Sequence, residues 1–91
     1  MIKRVEIQVF GRVQGVFFRD RTTKKARELN LTGWVKNESD GLVRIVAEGE
    51  EKNLKKLIKW SKRGPLFAKV DKIDVKWEEG KGEFKDFEIK Y

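Results

Sequence analysis

Arg19 is a candidate anion ligand because of where it stands in the chain. It ends the stretch GRVQGVFFR (11–19), which lies between a predicted strand and a predicted helix. The two glycines of this stretch let the backbone turn tightly and bring its N–H groups close to a ligand, and a helix N-terminus attracts anions. A cation in the first helical turn is unfavourable by about a few tenths of a kcal/mol unless an anion joins it. The alternative is a tight turn closed by an ion pair between Arg19 and Asp20 or Glu38.

Asn37 is the second candidate, because it falls inside the run LTGWVKNES (31–39), which predicts a strand. Asparagine is disfavoured in strands. The turn signal SDG (39–41) follows at once, so a role as a turn residue is the alternative to a role in chemistry. The predicted position of Asn37 opposite Arg19 makes a role in chemistry more competitive with a role as a turn residue.

The residue types that are missing exclude several kinds of chemistry. The chain has no histidine and no cysteine, so it lacks the usual general base, the Ser-His and Cys-His nucleophile pairs and the commonest metal ligands. Thr22, Thr23 and Ser39 have no base to activate them and fit helix packing or turn hydrogen bonds better. A chain without these groups can still stabilise phosphoryl oxygens by positioning and charge.

Charge and hydropathy set the class of protein. The net charge of +7 favours anionic partners such as phosphate compounds or nucleic acid, although abundant lysine and glutamate also fit heat adaptation. The hydrophobic residues, 38% of the chain, are periodic, which predicts a folded protein despite 41% charged residues. No run of 18 apolar residues and no signal segment is present. We therefore expect a cytoplasmic protein that does not contact a membrane.

The spacing of apolar residues predicts seven elements. Alternation indicates strands, and apolar residues three or four apart indicate helices. The second helix should stop at Gly64-Pro65, and the fourth strand should change register near Asp71. In chain order the elements are a strand over 3–10, a helix over 18–30, strands over 31–39 and 42–48, a helix over 51–63, a strand over 70–77 and a short strand over 87–91.

The order of these elements, β-α-β-β-α-β with a terminal strand, predicts an α+β fold. It is that of a ferredoxin-like two-layer sandwich, with two helices on one face of an antiparallel sheet. We expect residues 1–91 to form one domain. In this fold the first two strands run in the same direction, about 10 Å apart, with the third strand between them. The loop 11–19 and Asn37 should therefore face one another.

Three stretches, GRVQGVFFR (11–19), GWVKNESDG (33–41) and GPLFAKV (64–70), resemble the signature stretches of the acylphosphatase family. The resemblance covers essentially the whole chain. It implies hydrolysis of acyl phosphates to carboxylate and inorganic phosphate, with no cofactor and no metal. It places the phosphate-binding arginine on Arg19 and the water-positioning asparagine on Asn37. The anion cradle falls on the backbone of six residues, Gln14, Gly15, Val16, Phe17, Phe18 and Arg19.

Several finer expectations accompany this resemblance. The side chain of Phe18 fits the buried face of the first helix, whereas that of Phe17 could wall the loop. Asn30 stands where a glycine is common in the family, which affects the cap of the first helix. The chain carries no sequence after Tyr91, which favours a free-standing enzyme. The three tryptophans, Trp34, Trp60 and Trp77, are expected in the core.

Two other classes of function have to be weighed. RNA-recognition domains share the predicted fold and carry stacking aromatics on their central strands, but the third strand here, LVRIVAEG, has none. This argues against nucleic-acid binding. A regulatory ligand-binding domain would need a partner domain or an oligomer interface, and neither is visible. We expect a monomer that binds a small acyl phosphate, with inorganic phosphate as product or competitive ligand.

Overall fold

The computed structural model describes all 91 residues, Met1–Tyr91. The order of its elements is the predicted one. The strands are β1 (Lys3–Arg12), β2 (Thr32–Asn37), β3 (Val43–Gly49), β4 (Lys69–Glu79) and β5 (Phe87–Lys90), and the helices are α1 (Phe18–Glu28) and α2 (Glu51–Arg63). No helix has the length and apolar character that crossing a membrane requires.

The five strands form one sheet in the order β4-β1-β3-β2-β5. The four longer strands pair antiparallel, as predicted. The short β5 pairs parallel with β2 and makes the sheet mixed. The strands β1 and β2 lie on either side of β3 and run in the same direction. The end of β1, the start of α1 and the end of β2 therefore lie at the same end of the sheet.

The core lies between the sheet and the two helices. Alternate residues of β1 and β3 are fully buried on the face that both helices cover. Residues of α1 and α2 at helical spacing pack against them. The core residues with the largest buried side chains include Phe18, Leu54, Leu57, Ile7, Ile45 and Phe87.

The ends of both helices follow from local hydrogen bonds. The helix α1 ends at Glu28, two residues before the predicted end, because Leu31 N–H donates to Ala26 O (2.9 Å) and Asn30 N–H donates to Arg27 O (3.1 Å). Asn30 has φ 57°, so it adopts the conformation that glycine usually provides there. The predicted stop of α2 is confirmed at Gly64, which has φ 72° and donates its N–H to Trp60 O at 2.8 Å.

The predicted register change of the fourth strand is confirmed at Asp71. Phe10 pairs with Lys72 while Gly11 pairs with Val70, so Asp71 is the extra residue of a bulge. This bulge lies at the end of β1, where the strand leads into the loop 13–17.

The prediction for the tryptophans is wrong for two of the three. Trp60 does pack against the core, with its ring centroid 5.5 Å from that of Phe18. Trp34 lies instead on the sheet face away from the helices, since it alternates with the buried residues of β2, and Arg44 stacks over its ring. Trp77, near the end of the edge strand β4, is 40% exposed.

Candidate active site

The loop between β1 and α1 presents a row of backbone donors that the fold does not use. The N–H groups of Gln14, Gly15, Val16 and Phe17 donate no hydrogen bond to any protein group. The first N–H groups of α1 continue this row, because the first turn of a helix has no intrahelical acceptors. The positive end of the helix dipole therefore coincides with a run of open donors.

Phe17 shapes this row through its backbone. It is the N-cap of α1 and has φ 62° and ψ 23°, the left-handed region, with no side chain capping the helix. A residue other than glycine in this region is strained by about 1–3 kcal/mol, and such strain clusters at functional sites. A left-handed residue next to helical ones turns successive N–H groups toward a common point, which is the geometry of an anion-binding nest.

The side chain of Gln14 links the loop between β1 and α1 to the turn between β2 and β3. Its side-chain Nε2 donates to the carbonyl oxygens of Glu38 (2.8 Å) and Leu42 (3.0 Å), at the two ends of the turn between β2 and β3. Only the backbone of Gln14 is left to face a ligand. Sequence reasoning placed Gln14 in the loop but missed this role, which depends on a contact 24 residues away.

Arg19 and Asn37 line the same cavity, as the fold geometry predicted. The cavity has a volume of about 490 Å³, within the range of about 300–1,000 Å³ typical of small-molecule sites. Its lining residues come from the loop, from α1, and from the ends of β2 and β5. They are Val13, Gly15, Phe17, Phe18, Arg19, Asp20, Asn37, Ile89 and Tyr91.

The guanidinium of Arg19 has no anionic partner in the protein. It forms no ion pair with Asp20 or Glu38, which was the alternative interpretation of this residue. Its recorded contact is with the ring of Tyr91, whose centroid lies 5.1 Å from Cζ. Arg19 is therefore held at the cavity with its donors open to a ligand.

Asn37 ends β2 and falls in the same alternation as the buried residues Gly33 and Val35. It therefore belongs to the face of the sheet on which α1 packs. Its Oδ1 is buried and has no hydrogen-bond partner. Buried acceptors are nearly always paired in folded proteins. A ligand or a water molecule in the cavity could therefore supply the donor that this oxygen lacks.

A larger cavity, of about 740 Å³, lies between α1 and the end of α2. It is lined by cationic side chains, including Arg21, Lys24 and Arg63, and contains neither Arg19 nor Asn37. No group of three acidic side chains in the structure is arranged to hold a metal ion. The smaller cavity is the one that combines unused donors, a free guanidinium and an unpaired amide.

An open row of N–H groups and a free arginine, on a ferredoxin-like sandwich, fit a small enzyme that acts on phosphoryl compounds. The family model of acylphosphatase matches residues 5–89 of the chain. The chain belongs to the acylphosphatase family.

Relatives and solved structures agree with this assignment over nearly the whole chain. An acylphosphatase of Methylococcus capsulatus is 47% identical over 88 residues, which are 97% of this chain and 96% of the relative. The crystal structure of acylphosphatase from Bacillus subtilis has a TM-score of 0.94 and 40% identity, covering 98% of this chain and 99% of that one. Full-length HypF contains a region with a TM-score of 0.90 and 40% identity, which is 12% of that chain.

The family membership fixes the reaction. The chain is a hydrolase that converts acyl phosphates into carboxylate and inorganic phosphate.

The cavity is also lined by residues that the sequence analysis did not single out, Val13 and Ile89 among them. The place of Ile89 depends on the parallel register of β5 against β2, which pairs it with Val35. No local sequence signal specifies that register.

Proposed function

We propose that the cavity cleaves the carboxyl-phosphate bond by in-line attack of one water molecule. The guanidinium of Arg19 and the N–H groups of residues 14–19 hold the phosphoryl oxygens, and Asn37 holds the water. The observation that carries the proposal is the unbonded row of N–H groups beside an unpaired arginine, in the cavity that also contains Asn37.

The leaving group explains why so few side chains suffice. An acyl phosphate expels a carboxylate, whose conjugate acid has a pKa near ~4, as in Asp and Glu side chains. Such a group leaves without being protonated, so no general acid is needed. Catalysis then consists of positioning and of stabilising charge on the phosphoryl oxygens. Arg19 suits this role because its planar fork matches two of these oxygens at once.

The buried Oδ1 of Asn37 supplies the acceptor that a water molecule needs. A water that donates one hydrogen to Oδ1 keeps a lone pair free to attack phosphorus. The bond from the water oxygen to phosphorus forms, and the bond from phosphorus to the acyl oxygen breaks with its electron pair on the carboxylate. The proton of the water passes to a phosphoryl oxygen of the substrate.

The partners follow from the same geometry. Inorganic phosphate has the same oxygens as the transferred group, so we expect it to bind the cavity as product and competitive inhibitor. Every group in this mechanism comes from one chain, which supports an active monomer.

Removal of Arg19 tests the proposal. We expect Arg19→Ala to lower kcat/KM for an aryl acyl phosphate, measured with a chelator present, by about 100- to 1,000-fold. Arg19→Lys should recover little of this loss, because an ammonium does not offer the guanidinium fork.

The matched control is Arg21→Ala, an exposed arginine of the same helix that does not line the cavity. It should change kcat/KM by less than about threefold, through net charge alone. An Arg19→Ala variant within about tenfold of the native chain, or a similar loss in both variants, would refute the proposed role of Arg19.

A further inference from the structure

The cavity contains more apolar surface than phosphoryl transfer requires. Besides Arg19 and Asn37, its wall includes Phe17, Ile89 and Tyr91. Phe17 is 70% exposed and Tyr91 is 91% exposed, which places both among the most exposed large apolar side chains of the molecule. Because both exposed rings line the cavity, they are available to contact a ligand that binds there.

We infer that Phe17 and Tyr91 form the contact surface for the acyl group of the substrate. The enzyme then favours acyl phosphates with an aromatic or large apolar acyl group over those with a small one. This inference rests on the proposed function of the cavity, because it requires the phosphoryl group to be held by Arg19 and the loop 14–19.

Phe17 is placed for this contact by its own backbone. Its N–H belongs to the unbonded row that is proposed to hold the phosphoryl group. Its side chain therefore branches from the same stretch of backbone that holds the reacting group. Its left-handed conformation is unfavourable to the folded state, and its exposed ring gains little from folding. The side chain of Phe17 contributes little to the core, and a bound acyl group would cover it.

Tyr91 reaches the same region from the other end of the chain. Its ring centroid lies 5.1 Å from Cζ of Arg19. A phosphoryl group bound to this guanidinium brings the attached acyl group within reach of the ring. Ile89, two residues earlier, lines the same cavity. The contact surface is therefore assembled from the start of α1 and the segment at and after β5.

The acyl group decides how much this surface contributes. A methyl group, as in acetyl phosphate, covers little of either ring, whereas a phenyl group, as in benzoyl phosphate, covers part of both. Aromatic side chains bury large areas and pack well against other rings. The measured quantity is therefore the ratio of kcat/KM for benzoyl phosphate to kcat/KM for acetyl phosphate, in which differences of intrinsic reactivity cancel between variants.

The test compares five variants and one control variant with the native chain. We expect the ratio to fall about fivefold in Phe17→Ala and in Tyr91→Ala, and further in the double variant, as the apolar contact is removed. Phe17→Leu and Tyr91→Phe should retain most of it. The control is Phe67→Ala, because Phe67 is also 70% exposed but does not line the cavity. Its ratio should be that of the native chain.

The outcomes separate this inference from the proposed function. A ratio within about twofold of the native value in the double variant would overturn the inference, as would an equal loss for both substrates, which would mean that the rings only hold Arg19 in place. If Arg19→Ala abolishes turnover of both substrates while the ratio is unchanged in the double variant, the proposed function stands and the acyl contact fails. If Arg19→Ala leaves turnover intact, the proposed function itself fails.

Discussion

At the scale of single residues, the proposed catalytic groups have no partner within the protein. Arg19 has no counter-ion, and Oδ1 of Asn37 is buried without a donor. The N–H groups at the start of α1 have no acceptor. A buried polar group left unpaired, such as Oδ1 of Asn37, destabilises a protein by about 1–3 kcal/mol. Because it shares one cavity with an unpaired arginine and unbonded N–H groups, these groups are better explained as binding groups than as accidents of folding.

Gln14 holds the loop that carries the unbonded N–H groups, through the two hydrogen bonds that its side-chain amide donates. Gln14→Glu keeps the shape but removes both donors to Glu38 O and Leu42 O. We expect the free energy of unfolding to fall by about 1–3 kcal/mol, because the carboxylate faces two carbonyl oxygens. Inhibition by inorganic phosphate should also weaken. Denaturant titration and an inhibition assay measure the two effects.

The control for Gln14→Glu is Gln8→Glu, a half-buried glutamine of β1 whose side chain forms no hydrogen bond within the protein. It adds the same charge without removing a contact. If both variants were equally stable, the two hydrogen bonds of Gln14 would not hold the loop.

At the scale of elements, the start of α1 combines an unfavourable backbone conformation at Phe17 with the N–H groups of the proposed phosphate cradle. Phe17→Gly relieves the left-handed strain and removes a ring that is 70% exposed. We expect it to raise the free energy of unfolding by about 0.5–1 kcal/mol, after allowing for the greater entropy of glycine in the unfolded chain. Thermal and denaturant unfolding measure this change.

Asn30→Gly is the comparison for Phe17→Gly, because Asn30 has a similar backbone conformation, with φ 57°, at the other end of α1. Asparagine tolerates this conformation better than phenylalanine, so the gain should be smaller. A Phe17→Gly variant less stable than the native chain would mean that the Phe17 ring stabilises the fold by more than its left-handed backbone destabilises it.

The elements themselves were largely predictable because their signals are local. Alternation in β1 and β3, helical spacing in α2 and the stop at Gly64 depend on neighbours in sequence. The parallel pairing of β5 with β2 was not predicted, since it joins segments more than 50 residues apart. The side of the sheet on which Trp34 lies was also missed, although its alternation with Gly33 and Val35 carried the signal.

The part of the candidate site that could be predicted consists of residues whose types are disfavoured in the elements where they lie. Arg19 in the first turn of a helix and Asn37 in a strand both stood out from local rules. The role of the Gln14 side chain and the contact between Tyr91 and Arg19 could not be predicted, because both depend on the packing of segments distant in sequence.

At the scale of the whole molecule, Arg4 joins β1, β3 and the segment before β5. Its Nη1 lies 3.3 Å from Glu48 Oε2 and 2.7 Å from Glu83 Oε1. The carboxylate of Glu48, 2% exposed, also accepts the N–H groups of Lys81 and Gly82. Burial lowers the pKa of Arg4, but the hydrogen bonds to Glu83 and Glu48 raise it more, so the net shift is upward. The network fastens the segment that leads into β5 and on to Tyr91.

Arg4→Met should lower the free energy of unfolding by about 2–4 kcal/mol, because it leaves the buried Glu48 without its cation. A raised pKa means that the contribution of Arg4 is complete below its unfolded-state pKa and is lost only as pH rises through the folded value. The difference from the native chain should therefore be constant between about pH 6 and pH 9.

The control for Arg4→Met is Arg44→Met, which removes the more exposed pair with Glu6. We expect a loss of about 0–1 kcal/mol. Equal losses for Arg4→Met and Arg44→Met, or an Arg4→Met loss that varied across this pH range, would mean that Arg4 does not hold the molecule together as described.

Asn37 is proposed to position the attacking water while Arg19 and the loop hold the phosphoryl group. The most direct measurement is the steady-state kinetics of Asn37→Ala on an aryl acyl phosphate, together with its inhibition constant for inorganic phosphate. We expect kcat to be lower by about 100-fold or more, with KM and the inhibition constant within about threefold of the native values, because this variant leaves the proposed phosphate cradle unchanged. A kcat retained within about tenfold, or a loss confined to KM and phosphate affinity, would contradict the proposed role of Asn37.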